Sequence, residues 1–199
     1  EYATRDHIII ALMWHAGIRL GSLRAIDVDD IDFDAGCIDL YHRPKSDTPL
    51  KNGLSAERTI HVGDHYLEVL KDYIDHNRHD VSDEYGREPL ITSVQGRLSG
   101  PPIRRTVYEW TRTCEYTGEC PHGEEIASCE YLNRTKSRQC PSSRSPHGVR
   151  RGSITRHLRD GVPREVVVDR MNVSREVLDL HYDERTEREK MQIRREFLD

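Results

Sequence analysis

The chain has 199 residues, 30 Lys and Arg against 35 Asp and Glu, a net charge of −5 and 35% hydrophobic residues. That length suits one domain, since domains usually run about 100–200 residues. No apolar run approaches the roughly 18–20 residues of a membrane span, and residues 1–6 carry no signal-peptide pattern, so the sequence reads as soluble and cytoplasmic, with no membrane partner.

Apolar residues recur at helical spacing over 4–15, and Gly17 stands where that helix should end. Residues 22–26 read as a short second helix. After Asp27-Val28-Asp29-Asp30-Ile31-Asp32 come two strand-like runs, 37–42 and 58–62. A long hairpin loop over 43–57, holding two Pro, a Gly and Lys51, joins them. Residues 64–78 place Tyr66, Leu67, Val69, Leu70, Tyr73 and Ile74 on one helix face. Residues 89–93 are extended, and Ser99-Gly100-Pro101-Pro102 starts a helix bearing Ile103, Val107 and Trp110. The segment 114–140 has little periodicity. Ser145-Pro146 opens a helix to about Leu158, Pro163 opens one ending near Arg170, and Ser174 caps one reaching Tyr182. Thr186-Glu187-Arg188-Glu189 has capping-box spacing before a charged helix over 186–198 that carries Met191, Ile193, Phe197 and Leu198. The expected fold is mainly α with a small antiparallel β-sheet, an α+β class.

The total charge argues against a nucleic-acid partner, because binding DNA replaces counterions with Lys and Arg. Its distribution argues the other way. Residues 1–100 hold 18 acids and 11 bases, residues 101–199 hold 17 and 19, and residues 134–159 hold eight bases and no acid. Only five of the bases are Lys, and the Arg fork suits bidentate phosphate contacts. An acidic, Lys-poor, salt-adapted proteome gives the same ratio. Arg144, Arg151 and Arg156 in the acid-free stretch, with Lys45 in the hairpin loop, are the candidate DNA-binding residues.

Three separated segments look built for one task. Ala16-Gly17-Ile18-Arg19-Leu20 sets an Arg directly after a helix-ending Gly. Pro146-His147-Gly148-Val149-Arg150-Arg151-Gly152 puts His147 and Arg150 three apart at a helix start, on one face and near a positive dipole. Leu180-His181-Tyr182-Asp183 places a Tyr at a helix end. Each has an ordinary structural alternative. Arg19 could pair with Asp27, Asp29 or Asp30, His147 could cap a helix, Tyr182 could be a packing Tyr, and Lys51 a solvated loop residue.

Taken in order over residues 6–182, the set resembles the tyrosine recombinase (phage integrase) family, in the Xer and lambda-integrase style. The resemblance implies that Arg19 and Arg150 clamp a DNA phosphate and that His147 assists proton transfer. It makes Lys51 the general acid, with Lys45 as the second candidate, and Tyr182 the nucleophile forming a 3′-phosphotyrosine. A phenol's ordinary pKa is about 10, so such a nucleophile needs cations around it. Ser22 stands where the family commonly has an acid. The family's third-box His or Trp falls at Val173, whose side chain cannot hydrogen-bond; either the neighbouring Asn172 substitutes or that contact is missing. The partner implied is double-stranded DNA, with self-association as a tetramer on DNA and a monomer in isolation, and catalysis needs no cofactor. Rival readings are a topoisomerase-like enzyme, a catalytically inactive DNA-binding or regulatory module, and a zinc-stabilised scaffold unrelated to DNA.

The domain expected is a catalytic unit over 1–182 with a Cys-rich insertion at 114–140 and a helical tail over 183–199. The family's amino-terminal core-binding domain is not in this stretch of sequence. Cys114, Cys120, Cys129 and Cys140 could hold a structural Zn²⁺, the alternatives being free thiols or two disulfides. Cys37, in a strand, reads as a buried small hydrophobe. The tail packs either on a neighbouring protomer or back on its own.

Overall fold

The structure, a computed structural model, describes residues 2–183 and 185–195. Helix α1 (Arg5–His15) starts at Thr4, whose hydroxyl accepts from the His7 amide at 3.2 Å. It buries Ile8, Ile9, Leu12 and Met13 and is the rod against which α3 (Asp64–His76), α4 (Gly100–Trp110) and α6 (Pro146–Arg159) pack. At its end Gly17 takes φ +58°, and a Cβ there would fall 2.7 Å from the Met171 side chain. Backbone sign and close approach both select glycine. The short α2 (Leu20–Ala25) follows.

A three-stranded antiparallel sheet comes next, β1 (Ile31–Asp32), β2 (Cys37–Leu40) and β3 (Arg58–His61), with Ile38 opposite both Ile31 and Ile60. Ile38, Leu40 and Ile60 face the core. The period of two therefore turns Cys37 and Asp39 outward, and Cys37 is half-exposed instead of buried. The strands are shorter than their apolar runs predict, and β1 was not legible at all. A second ribbon, β4 (Thr92–Ser93) with β5 (Gly96–Arg97), lies within the region predicted as extended and just past it. After α4 come one turn, α5 (Cys114–Thr117), and three isolated 3₁₀ turns. Then follow α6, α7 (Arg164–Met171), α8 (Arg175–His181) and α9 (Glu187–Arg195). Ser145 and Ser174 cap α6 and α8 as predicted, accepting from the Gly148 and Val177 amides. Thr186 and Glu189 close the capping box of α9; Phe197 and Leu198 of the predicted tail lie outside the described residues.

Two apolar clusters form the interior. The larger joins α1, α2, the sheet, α3 and α4, and the smaller gathers Ile154, Leu158, Val167, Met171, Val173, Leu178 and Tyr182. Helix α6 belongs to both, through Val149 in the first and Ile154 and Leu158 in the second. Its first turns therefore lie at the seam between them.

Beside the hairpin, Asp27 accepts from Arg87 Nε at 2.6 Å, Arg97 Nη2 at 2.5 Å and Arg43 Nη1 at 3.3 Å. Asp30 takes both Arg43 nitrogens, and Asp83 takes Arg97. These arginines, and not Arg19, neutralise Asp27 and Asp30. Removing one member of such a buried network leaves charge uncompensated, so Asp27→Ala is expected to cost about 3–5 kcal/mol, read as a lowered urea midpoint at unchanged slope. A loss under 1 kcal/mol would show that the network contributes little.

Candidate functional site

Each predicted chemical residue sits at an element boundary. Arg19 is the residue just before α2, in extended conformation after the Gly17 turn. Lys51 lies in the hairpin loop, next to the 3₁₀ turn Gly53–Ala56. His147 is in the first turn of α6 and Arg150 one turn later; Asn172 directly follows α7, and Tyr182 directly follows α8. Arg19, Lys51, His147, Asn172 and Tyr182 line one cleft of about 660 Å³. A second cleft of about 480 Å³ shares Arg19, Lys51 and His147 and adds Arg150, Arg104 and Tyr108. Five residues spread over 164 positions thus converge, with Arg150 beneath them.

The Tyr182 hydroxyl stands 3.4 Å from His147 Nε2, the two rings edge to face with centroids 6.0 Å apart. Thr155 Oγ1 donates to the Tyr182 carbonyl at 2.9 Å, and the ring packs in the smaller cluster. The nucleophile candidate is therefore fixed at both backbone and ring. Arg150, 2% exposed, donates to the Gly17 carbonyl at 2.5 Å and to the Met171 carbonyl at 2.6 Å. It bridges the end of α1 to the end of α7 across the seam.

The electrostatics are one-sided. Burial pushes Arg150 and Arg58 down to about 10, the first aided by Arg19 and the second by Arg19 and Arg170. Burial also lowers Arg19 and Arg170. Among the described residues, none of these four guanidiniums pairs with a carboxylate. Arg58 gives Nε to the Arg170 carbonyl at 2.8 Å and Nη1 to the Ala56 carbonyl at 2.8 Å, while its buried Nη2 has no hydrogen-bond partner. Arg170 donates to the His61 carbonyl at 2.6 Å. Close cations without acids are costly unless an anion joins them. Partial burial, then Arg150, Lys51, Arg151 and Arg19, lower the His147 pKa, which favours the neutral imidazole.

Asn172 takes the left-handed conformation at φ +48°, ψ 63°, which Asn tolerates better than a β-branched residue. Its Oδ1 accepts from Asn52 Nδ2 at 2.6 Å and faces Arg19 Nη1 at 3.5 Å, and its Nδ2 donates to the Ser55 carbonyl at 3.2 Å. It clasps the loop that carries Lys51. Val173 turns its side chain into the smaller cluster. Of the two neighbours, Asn172 is the one that presents a polar group to the cleft.

The other predicted contacts divide. Arg151 lines the main cleft. Lys45, Arg144 and Arg156 lie outside both linings. Lys45 sits on an exposed 3₁₀ turn, Arg144 donates to the Pro141 and Ser143 carbonyls, and Arg156 pairs with Asp160 at 2.6 Å. Arg134 and Lys136 reach Glu109 and Glu130, so the stretch without acids in sequence is partly neutralised in space. Arg58, Asn52 and Arg104 were not foreseen. Arg58 opens the strand after Lys51, and nothing in that position marks it without the packing around it.

The four clustered cysteines lie away from this cleft and line a cavity of their own, about 130 Å³, together with Arg112 and His122. They are free thiols. Among the described residues, no three His, Cys, Asp or Glu side chains already stand in a metal-holding arrangement.

Residues 1–177 match the sequence pattern of the phage integrase family. The chain is 26% identical over 164 residues to the tyrosine recombinase XerC of Corynebacterium glutamicum, covering 81% of this chain and 40% of that protein. The crystal structure of XerA recombinase superposes with a TM-score of 0.63 at 14% identity, over 98% of this chain and 57% of that one. The Tn1549 transposon integrase, in complex with a circular intermediate DNA, gives a TM-score of 0.63 at 17% identity, over 98% and 58%. These likenesses show the fold, a tyrosine-recombinase catalytic one. The chain spans 28–40% of the length of its sequence relatives. Among the described residues no helix is long and apolar enough to cross a membrane.

Proposed function

The chain belongs to the phage integrase family, and on that premise we propose that it is the strand-cleaving and rejoining part of a site-specific tyrosine recombinase. The observation that carries this is the convergence of Tyr182, His147, Lys51 and Arg19 on one cleft, beside the buried Arg150, with Arg19 and Arg150 paired to no carboxylate among the described residues. A phosphodiester supplies the missing negative charge.

In the proposed reaction Tyr182 Oη attacks the scissile phosphorus in line. The O–P bond to tyrosine forms as the bond to the 5′-oxygen breaks, so the number of phosphate ester bonds is unchanged. The phenol proton passes to His147 Nε2, which stands 3.4 Å from Tyr182 Oη. Lys51 delivers a proton to the departing 5′-oxygen. Arg19 and Arg150 offset the charge that develops on the non-bridging oxygens, and Asn172 keeps the Lys51 loop in place. The step is reversible, so a 5′-hydroxyl from a second duplex can take the tyrosine's place. Exchange between two duplexes cuts four strands in all, which fits a tetramer on DNA built from chains that are monomers when free.

Incubation with a nicked duplex that loses its 5′-hydroxyl fragment should trap a covalent protein–DNA adduct; absence of any adduct with the wild-type chain, while DNA is still bound, would leave only the inactive-module reading. The His147 role predicts a pH profile. A lowered pKa keeps the imidazole neutral at pH 7 and able to accept, so single-turnover cleavage should be flat near neutrality and fall on acidification, with a midpoint below 6.5. His147→Gln should lose that limb and run about 10²–10⁴-fold slower. A rate that rises as the pH drops would show His147 donating to the phosphate instead.

A further inference from the structure

The insertion between α4 and α6 has no apolar core. No residue from 108 to 148 belongs to either hydrophobic cluster. Its regular structure is limited to single turns, Cys114–Thr117, Ile126–Ser128, Glu130–Leu132 and Ser137–Gln139. Such a stretch buries too little to offset the entropy of ordering it, and needs a staple. Its pattern of burial shows where the staple is. Of the 27 residues from 114 to 140, seven are not exposed, and four of those seven are Cys114, Cys120, Cys129 and Cys140. A loop that turns its cysteines inward while leaving almost everything else in water is organised around sulfur.

We propose that Cys114, Cys120, Cys129 and Cys140 bind one structural Zn²⁺ in the cavity that all four line. The donor set narrows the metal. Four thiolates suit a tetrahedral Zn²⁺ at Zn–S distances of about 2.3 Å, whereas Ca²⁺ and Mg²⁺ take oxygen ligands. All four sulfurs are free and none is joined in a disulfide. The thiols do not yet stand in a metal-holding arrangement, but all four line one cavity of about 130 Å³, and the metal would assemble the ligand set as it binds. His122 is engaged elsewhere, its Nε2 2.7 Å from Ser142 Oγ. The buried Arg112 grips the loop from the α4 side, donating to the Tyr131 carbonyl and pairing with Glu115.

The site's position gives it a purpose. Cys140 is five residues before Ser145, the cap of α6, and His147 and Arg150 follow in its first two turns. Arg144, between them, is held to Thr111 at the end of α4, its amide donating to Thr111 Oγ1 at 2.7 Å. Fixing Cys114 and Cys140 to one ion closes the insertion into a ring at the foot of α4 and α6. Zinc therefore maintains the entry to the helix that carries two of the phosphate-handling residues, without touching substrate.

The experiment is elemental analysis of the purified, dialysed chain together with titration of its thiols by an aromatic disulfide reagent. One zinc per chain is expected. Only Cys37 should react quickly in the native protein, and stripping the metal with a strong chelator should expose four further thiols as one equivalent of zinc is released. Hydrogen exchange should then rise over 114–145 and leave α1 and the sheet unchanged. Cys129→Ser should lose the zinc equivalent; because that variant could misfold, the thiol titration of the wild-type chain decides on its own. Five fast-reacting thiols in a folded, metal-free protein would overturn the proposal. So would two disulfides seen by mass after alkylation, or one iron in place of zinc.

Discussion

Tyr182→Phe should form no covalent adduct with DNA while keeping its fold and its affinity. The ring remains in the smaller apolar cluster, and the backbone bond from Thr155 is untouched. The variant gives up the hydroxyl, its 3.4 Å contact to His147 and its hydrogen bond with Arg150, a stability change of about 1 kcal/mol. Cleavage loses its nucleophile, and removal of a nucleophile that acts as a unit with its partners costs at least about 10³-fold. Gel-shift affinity and denaturant midpoint should match the wild type in the same preparation that yields no adduct. An adduct that persists would move the nucleophile to another hydroxyl, and Tyr108, on the adjoining cleft, would be the one to change next.

Arg150→Ala should damage both the fold and the chemistry. Two carbonyls, of Gly17 and Met171, lose a charged donor at the buried seam between the clusters. That loss is expected to cost about 2–4 kcal/mol, with some return from reduced repulsion on Arg19 and Arg58. Cleavage should fall about 10²–10³-fold further from loss of transition-state charge stabilisation. Arg150→Lys separates the two effects. A lysine keeps the charge but makes no fork, so DNA binding should recover more than the carbonyl bridge or the cleavage rate. Full recovery of cleavage in Arg150→Lys would show that charge alone is needed there.

The parts legible in the sequence are those written in local signals. Ser145 and Ser174 announce α6 and α8, and Thr186 with Glu189 announces α9, because a cap is a contact within four residues. Arg19, His147, Arg150 and Tyr182 stood out because each follows or sits in such a signal and because they come in one order. What the sequence did not show depends on contacts far along the chain. Helix α6 lacks a clean apolar stripe since it packs on two clusters, and it buries Arg150, Ser153 and Thr155 among its apolar residues. Gly152 lets Trp14 approach to 3.0 Å of where a Cβ would be, a requirement invisible from either residue alone. The acid-free run 134–159 looked like one basic face, yet Glu109, Glu130 and Asp160 reach into it from outside. Spacing alone did not show which of Val173 and Asn172 brings a polar group to the cleft; both line it, and the left-handed turn at Asn172 presents that amide.

The four arginines around the cleft repel one another, and the chain supplies no counter-charge among its described residues. Without DNA the protein therefore holds a compressed electrostatic spring, kept shut by the carbonyl bridges at Gly17, Met171 and Ala56. On the proposed function, an entering phosphate would relax the spring, and each rejoined strand that left would compress it again. The same repulsion would leave the vacated site receptive to the next phosphate, in the forward or the reverse step, which is the behaviour the proposed strand exchange requires.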